Sequence, residues 1–281
     1  KIPPLGPQDS GLLRRGGGAL VQPGSCKAVK AIGWFIKEYG IAQVSINLTD
    51  ISVTSVHKVF EECCKSAEKR GLLVTGSELV GLIPLNSLLD AGKYFLKKQQ
   101  RSTGISEKEI IKIAVKSLGL DDLKPFTPEK KIIEFLMAED SEKKLVKMNL
   151  IDFADETASE SPAPGGGSVS AYVGALGISL GTMVANLSSH KKGWDERWEE
   201  FSNWAEKGQH YKDELLQLVD EDTAAFNKIM AACGLPGSNE KEKSGREKAI
   251  QEATKYATEI PFRVMEISFK SMEVIKAMAE T

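Results

Sequence analysis

The stretch from Ser161 to Ser189 carries no charged side chain, although 27% of the 281 residues are Asp, Glu, Lys or Arg. It opens with Pro, Ala and Gly residues at positions 162–167 and continues as the apolar run VSAYVGALGISLGTMVANLSS. A Pro/Gly loop therefore leads directly into a helical pattern. The first turn of such a helix presents backbone N–H groups without intrahelical partners, and the helix dipole favours an anion there. We expect a small acidic ligand at this helix start.

The bulk composition narrows the class of protein. The net charge of −2 argues against nucleic acid as a partner. Four cysteines without a CxxC pair and three scattered histidines predict no metal site. Sparse cysteines suit a reducing compartment, so we expect a cytoplasmic protein. Residues 1–26 contain four prolines and a run of three glycines but no signal-peptide pattern, and they predict a disordered leader.

The pattern before residue 100 is mixed. Residues 28–36 and the alternating residues 42–48 predict a hairpin, followed by a helix over 53–70. A third strand at 72–74 and a helix over 84–98 complete the pattern. This order predicts an α+β fold with a mixed sheet and helices on one face.

From Ser106 onward only helical patterns occur, and we place a domain boundary near residue 138. The domains are therefore predicted as an α+β domain over 27–137 and an all-helical domain over 138–281. The first helix predicted in this part opens with a capping box of Ser106 and Glu109 before IIKIAVKSLG. Beyond it and the uncharged stretch, helices are predicted over 127–137, 141–157, 195–232 and 240–280.

Small residues recur on one face of the uncharged helix, and larger apolar residues cover the rest, so we expect it to be buried all round. The small residues are Gly167, Ser170, Gly174, Gly177 and Gly181. Each interior Gly costs about 1 kcal/mol relative to Ala, which close helix packing or ligand contact must offset. We favour packing for the mid-helix glycines and ligand contact for residues 165–168. A membrane helix is a third alternative, but the Pro/Gly opening and interior Ser, Thr and Asn residues favour no membrane insertion.

An acid stands on the apolar stripe of the long helix predicted over 195–232. The stripe consists of Phe201, Trp204, Gly208, Tyr211, Leu215, Leu218, Asp222, Ala225 and Ile229. Asp222 occupies a core position, whereas Asp220 and Glu221 are predicted to point away. Because burial favours the protonated carboxyl, Asp222 is a candidate general acid or base near neutral pH. The alternatives are that it caps a neighbouring helix or pairs with a Lys or Arg. His57, His190 and His210 are isolated, and we interpret them as solvated surface residues.

Four strings in this chain resemble a known family. SPAPGGGSVSAYVGALG and LVDEDTAAFNKIM resemble the cyclodeaminase/cyclohydrolase domain of the formimidoyltransferase-cyclodeaminase family of bifunctional folate enzymes. KAIGWFIKEYGIAQVSINLTD and GSELVGLIPLNSLLDAG resemble the C-terminal subdomain of its transferase half. The resemblance runs from Lys27 to Thr281, in the order of the family, and residues 1–26 show none.

The resemblance implies two reactions of one-carbon metabolism and histidine breakdown. One transfers a formimidoyl group from N-formimidoyl-glutamate to tetrahydrofolate. The other closes 5-formimidoyl-tetrahydrofolate to 5,10-methenyl-tetrahydrofolate and releases ammonia. It also implies Asp222 as the proton donor, tetrahydrofolate as carrier without a metal, and a homo-oligomer. The predicted folate-binding residues are Pro164, Gly165, Gly166, Gly167 and Ser168.

The chain departs from the family pattern at both ends. The transferase half of the family begins with a subdomain that holds its catalytic histidine, and nothing here resembles it. The family's deaminase domain continues with further helices, whereas this sequence stops at Thr281. We therefore expect a fragment without transferase activity. The alternative is a non-catalytic helical oligomerisation module.

Overall fold

The computed structural model describes residues 24–37, 40–137 and 145–281, which form two compact units. The first unit comprises the described residues of 24–99 and 107–137, and the second comprises 100–106 and 145–281. Residues 1–23 of the predicted leader lie outside the described residues, and the predicted boundary near residue 138 falls beside another such gap.

The described elements are few strands and many helices, which confirms the α+β class. In chain order they are β1 (Val29–Ile36), β2 (Ile41–Leu48), α1 (Val56–Glu68), α2 (Leu85–Lys98), α3 (Glu107–Leu118), α4 (Pro128–Lys131), α5 (Ile133–Met137), a 3₁₀ turn (Leu145–Lys147), α6 (Leu150–Thr157), α7 (Gly166–Ser188), a second 3₁₀ turn (Asp195–Arg197), α8 (Trp198–Cys233) and α9 (Glu240–Ala279).

In the first unit, β1 and β2 form the predicted antiparallel hairpin, in register from Val29 opposite Leu48 to Ile36 opposite Ile41. The third strand predicted at 72–74 is wrong: these residues form no strand, and Leu73 is 90% exposed. Without a neighbouring strand or a core to cover them, β-branched and apolar residues alone do not make a strand. The described sheet therefore has two strands.

Helices α2 and α3 form most of the core of the first unit. Leu88 and Ala91 on α2 pack with Ala114 and Leu118 on α3, all of them 0–1% exposed. A side chain at Gly92 would overlap the backbone of α3, so this glycine allows the two helices to approach closely.

The helix predicted over 127–137 is split into α4 and α5. Ile132, which separates them, is extended and fully buried. It forms a parallel bridge with Ile83, whose N–H donates to the Lys131 carbonyl at 2.9 Å. The helix breaks because a buried backbone pairing with a residue distant in sequence replaces the helical hydrogen bond. Of the helix predicted over 141–157, residues 141–144 lie outside the described ranges, Leu145–Lys147 form a 3₁₀ turn, and α6 begins at Leu150.

Three long helices, α7, α8 and α9, form most of the second unit, and each of them contacts the other two. Its core joins Ala171 and Ile178 of α7 with Leu215 of α8 and with Ile260 and Val274 of α9. Small residues bring these helices together. A side chain at Gly181 would meet Ile275 of α9, and one at Gly208 would overlap Thr182 of α7. The packing role favoured for the mid-helix glycines therefore holds at Gly174 and Gly181 but is wrong for Gly177, where an added side chain would meet nothing within 4 Å.

The prediction that α7 is buried all round is wrong. The residues of α7 that face α8 and α9 are mostly small, with Ile178 as the large exception, whereas most of its other large apolar residues are exposed. The exposed large apolar residues of α7 are Val173 (61%), Leu176 (49%), Leu180 (62%), Met183 (50%), Val184 (41%) and Leu187 (67%). Two neighbouring helices cover one side of a helix, so an apolar stripe on the other side stays uncovered in a single chain. By length and composition alone α7 passes for a membrane-crossing helix, a test that soluble core helices also pass.

Candidate active site

The Pro/Gly loop ends where α7 begins. Pro164 is buried after a cis peptide bond, and Gly165 is the extended residue that precedes the helix. The Ser161 hydroxyl donates to the Ala163 carbonyl at 2.7 Å and fixes the entry to the loop. No charged side chain belongs to the loop or to α7, so any charge that meets the first turn comes from elsewhere.

Asp222 of α8 supplies that charge. Its Oδ2 accepts a hydrogen bond from the Ser168 backbone N–H at 2.9 Å and lies 3.0 Å from the Ser168 Oγ. The carboxyl is thus a cap for α7 contributed by another helix, one of the alternatives left open by the sequence. The structure therefore brings the predicted acid and the predicted loop together.

The three glycines of the loop differ in their surroundings. A side chain at Gly167 would overlap the Asp222 carboxyl, whereas one at Gly166 would meet nothing within 4 Å. A side chain at Gly165 would touch Asp222 Oδ2 at an ordinary 3.6 Å. Gly167 is therefore needed for the carboxyl to reach the helix, and Gly166 leaves the backbone open to a ligand.

Ser168 differs from the rest of the loop because its side chain is fully buried. Its hydroxyl lies 2.8 Å from the Val219 carbonyl, 3.0 Å from Asp222 Oδ2 and 3.4 Å from the Thr223 hydroxyl. Asp222 itself is only half-buried, whereas its place on the apolar stripe predicted a core position.

The two acids predicted to point away also have structural partners. Asp220 Oδ1 accepts from the Leu145 N–H at 2.8 Å and holds the turn before α6. Glu221 accepts from the Tyr256 hydroxyl at 2.9 Å and from Arg263 at 2.8 Å, both on α9. The hydrogen bond to Glu221 is the main cause that raises the pKa of Tyr256. Three consecutive acids therefore bind three different elements, a role that helical periodicity alone did not reveal.

A cavity of about 410 Å³ lies between α8 and α9, on the C-terminal side of Asp222. It is lined by one basic residue (Lys228), one acidic residue (Glu252), Tyr256 and apolar residues that include Leu235. The Lys228 ammonium lies 4.1 Å from the centre of the Tyr256 ring. The cavity thus places a cation beside an apolar surface, next to the helix that carries Asp222.

The interpretation of His57 as a solvated residue is wrong. Its ring is half-buried and stacks on Tyr94 with 4.3 Å between ring centroids. Burial lowers its pKa, an effect that the charges of Asp90 and Glu61 oppose. The other two histidines, His190 and His210, are exposed as expected. Among the described residues, no three His, Cys, Asp or Glu side chains are grouped as metal ligands would be.

Comparison with known families covers almost the whole sequence. A family model described as "Formiminotransferase domain" matches residues 10–138, and one described as "Formiminotransferase-cyclodeaminase" matches residues 149–281. The first match begins at residue 10, so part of the segment that we expected to lie outside the family belongs to it.

Several relatives are similar over long stretches. Formimidoyltransferase-cyclodeaminase of Gallus gallus is 41% identical over 250 residues, which are 89% of this chain and 46% of the relative. The Dictyostelium discoideum protein of that name is 38% identical over 258 residues, 91% of this chain and 47% of the relative. Methenyltetrahydrofolate cyclohydrolase of Methylorubrum extorquens is 35% identical over 128 residues, 46% of this chain and 62% of the relative.

One solved structure, formiminotetrahydrofolate cyclodeaminase of Thermotoga maritima, is 30% identical with a TM-score of 0.42 and covers 49% of this chain and 64% of that chain. The chain spans about half the length of the curated bifunctional relatives that it matches. The two family models together with about 40% identity to relatives of that name across about 90% of the chain lead to one conclusion: the chain belongs to the formimidoyltransferase-cyclodeaminase family.

Proposed function

We propose that the second unit carries the cyclodeaminase site, which closes 5-formimidoyl-tetrahydrofolate to 5,10-methenyl-tetrahydrofolate and releases ammonia. The observation that carries this proposal is the 2.9 Å contact between Asp222 and the first turn of α7. It lies within the residues that match the cyclodeaminase family model. We assign the reaction to folate one-carbon metabolism and histidine breakdown in the cytoplasm.

The proposed reaction needs one proton to move between two nitrogens. The substrate reacts as the formimidinium ion, in which the formimidoyl carbon is doubly bonded to an NH₂ group. The nitrogen at folate position 10 bonds to that carbon while the π electrons of the C=N bond move to the NH₂ nitrogen, and the position-10 nitrogen then releases its proton. The amino nitrogen gains a proton, its C–N bond breaks with the electron pair going to nitrogen, and ammonia leaves while the positive charge stays on the methenyl bridge. Asp222 is the proposed carrier: its carboxylate accepts the first proton, and its carboxyl donates the second. The protons balance without another reactant.

The position of Asp222 suits both steps. The positive end of α7 stabilises the carboxylate that remains after proton donation. The loop and α7 contain no charged side chain, so none of their own residues competes with Asp222 for the positive end of the helix. The half-buried position keeps one side of the carboxyl accessible to a substrate.

We propose that the loop Pro164, Gly165, Gly166, Gly167 and Ser168 binds the folate, mainly through its backbone. The open space beside Gly166 allows a flat ring system to approach the peptide groups. The glutamate tail of folate is anionic, and Lys228 in the neighbouring cavity is the proposed cation for it. No residue of this arrangement calls for a metal.

Two further parts of the proposal concern partners. The exposed apolar face of α7 is the proposed contact with a second copy of the chain, because large apolar patches mark interaction surfaces. The first unit matches the formiminotransferase model. We therefore propose N-formimidoyl-glutamate as the substrate of the transferase activity in which this unit takes part. A helical module that only assembles remains the second candidate, and the same exposed face favours it.

Turnover of 5-formimidoyl-tetrahydrofolate by Asp222→Asn tests the proposal. We expect turnover to fall by about 10²- to 10⁴-fold, the usual contribution of one general acid or base. Asp213→Asn, at an exposed position on the same helix, is the matched control and should keep full activity. If Asp222→Asn retains its activity, or if only its assembly changes, the helical module becomes the better assignment.

A further inference from the structure

The Ser168 hydroxyl has more acceptors than protons. It lies 2.8 Å from the Val219 carbonyl and 3.0 Å from Asp222 Oδ2, and both oxygens accept hydrogen bonds. A hydroxyl donates one hydrogen bond at a time but also accepts. The Thr223 hydroxyl, 3.4 Å away, can donate to the Ser168 Oγ and leave the serine hydrogen to the two nearer oxygens. Which of these two it points to then depends on whether Asp222 carries a proton.

The two protonation states of Asp222 have complementary arrangements. When Asp222 is a carboxylate, the Ser168 hydroxyl donates to Oδ2. When Asp222 carries the proton on Oδ1, which takes no hydrogen bond from Ser168 and can face the substrate, Oδ2 keeps the Ser168 N–H and the serine hydrogen turns to the Val219 carbonyl. In both states every polar group keeps a partner, and only a hydrogen rotates.

We propose that Ser168 is a positioning residue, which holds the Asp222 carboxyl in one orientation through both halves of the proton transfer. This inference rests on the proposed function of Asp222, and it assigns to the Ser168 side chain a role other than contact with folate. The side chain is fully buried, so a ligand reaches it only after α7 and α8 separate. The contribution of Ser168 to folate binding is then limited to its backbone.

The positioning role predicts an effect on kcat but not on KM. In Ser168→Ala the carboxyl keeps the backbone N–H but loses the hydroxyl, so it is poorly oriented for transfer. We expect kcat to fall about 10- to 100-fold, as for the loss of one hydrogen bond to a charged group, with KM unchanged. Ser168→Cys keeps the size of the side chain with a weak donor, and its kcat should fall in the same direction.

Ser170→Ala is the matched control. Ser170 lies two residues further along α7, is exposed, and donates to the Gly166 carbonyl at 2.7 Å rather than to Asp222. We expect it to keep both kcat and KM. A rise in KM with kcat intact in Ser168→Ala would show ligand contact and overturn the inference, as would unchanged kinetics in both Ser168 variants.

A crystal structure of Ser168→Ala tests the inference without turnover. We expect the Asp222 carboxyl to occupy more than one orientation there, whereas a single carboxyl position at the amide of residue 168 would contradict the role. If the unsubstituted protein is inactive, or if Asp222→Asn is active, the proposed function fails. The crystal structure then still shows whether the Ser168 hydroxyl orients the Asp222 carboxyl. If Asp222→Asn is inactive while Ser168→Ala retains its kcat, only the inference about Ser168 fails.

Discussion

The backbone N–H of Ser168 donates to the carboxylate of Asp222 at 2.9 Å, across 54 positions of sequence. Asp222 thus does for α7 what a helix-capping residue does, although it belongs to α8. The contact links the two helices at the point where α7 begins. The Asp222 side chain therefore has both a structural role and a proposed chemical role. Substitutions that preserve only one of these roles allow them to be measured separately.

Asp222→Ala and Asp222→Asn should differ in stability. Loss of the acceptor in Asp222→Ala should cost about 1 kcal/mol of unfolding free energy, as for loss of a helix cap. Asn retains an acceptor oxygen, so Asp222→Asn should unfold close to the unsubstituted protein while losing turnover. Urea unfolding followed by circular dichroism measures the difference. Equal destabilisation in the two variants would show that the cap depends on charge alone.

Gly167→Ala should displace Asp222. The added methyl group would overlap the carboxyl, so either the carboxyl or the first turn of α7 must move. We expect turnover to fall at least tenfold, because misplacement of a catalytic group by about 1 Å costs on the order of 10²-fold. Gly166→Ala meets nothing within 4 Å and tests folate approach instead, with KM as its readout. Full activity in Gly167→Ala would show that the carboxyl position does not matter.

Two glycines, one on the exposed side of α7 and one where α8 meets α7, should respond oppositely to an added methyl group. Gly177 lies inside α7 with open space around it, so Gly177→Ala should raise the unfolding free energy by about 1 kcal/mol through helix propensity. The methyl group of Gly208→Ala would overlap Thr182, and this overpacking should lower the unfolding free energy by about 1–3 kcal/mol. Chemical denaturation of both variants measures the signs. A neutral Gly208→Ala would mean that the two helices separate at little cost.

Local patterns predicted the hairpin, the start of α7 and the candidate acid Asp222, because alternation, Pro/Gly punctuation and helical period are properties of neighbouring residues. Contacts between residues that are distant in sequence were not predictable in this way. The Ile132 bridge to Ile83 breaks a helix through a contact 49 residues away, and no local signal marks it. The exposed face of α7 depends on how many helices surround it, which composition does not reveal. The loop and the acid were identified separately, and only the fold shows that they touch.

His57 should make the protein less stable in mild acid. Burial holds its pKa below the ordinary 6.5, against the opposing charges of Asp90 and Glu61 and with a smaller lowering by Lys58. As pH falls below 6.5, the unfolded chain takes up a proton before the folded one does, so stability is present above 6.5 and decreases with acidification. His57→Phe keeps the ring stacked on Tyr94 but cannot titrate.

We therefore expect the urea midpoint to fall between about pH 7.5 and pH 5.5 in the unsubstituted protein, and to fall less in His57→Phe. His210→Phe, at an exposed position, is the control and should follow the unsubstituted protein. Identical pH dependence in the unsubstituted protein and His57→Phe would assign the effect to other groups.

The exposed apolar face of α7 should control assembly. A charge at its centre, Leu180→Glu, places a carboxylate where a second copy is proposed to pack, and an unpaired buried charge is costly. Light scattering after gel filtration should show a mass above the 30.6 kDa of one chain for the unsubstituted protein and a lower mass for Leu180→Glu. Gln217→Glu adds the same charge at an exposed position on α8 and should leave the mass unchanged. A single-chain mass before substitution would contradict assembly through this face, and a need for detergent to keep the protein in solution would instead favour a membrane contact.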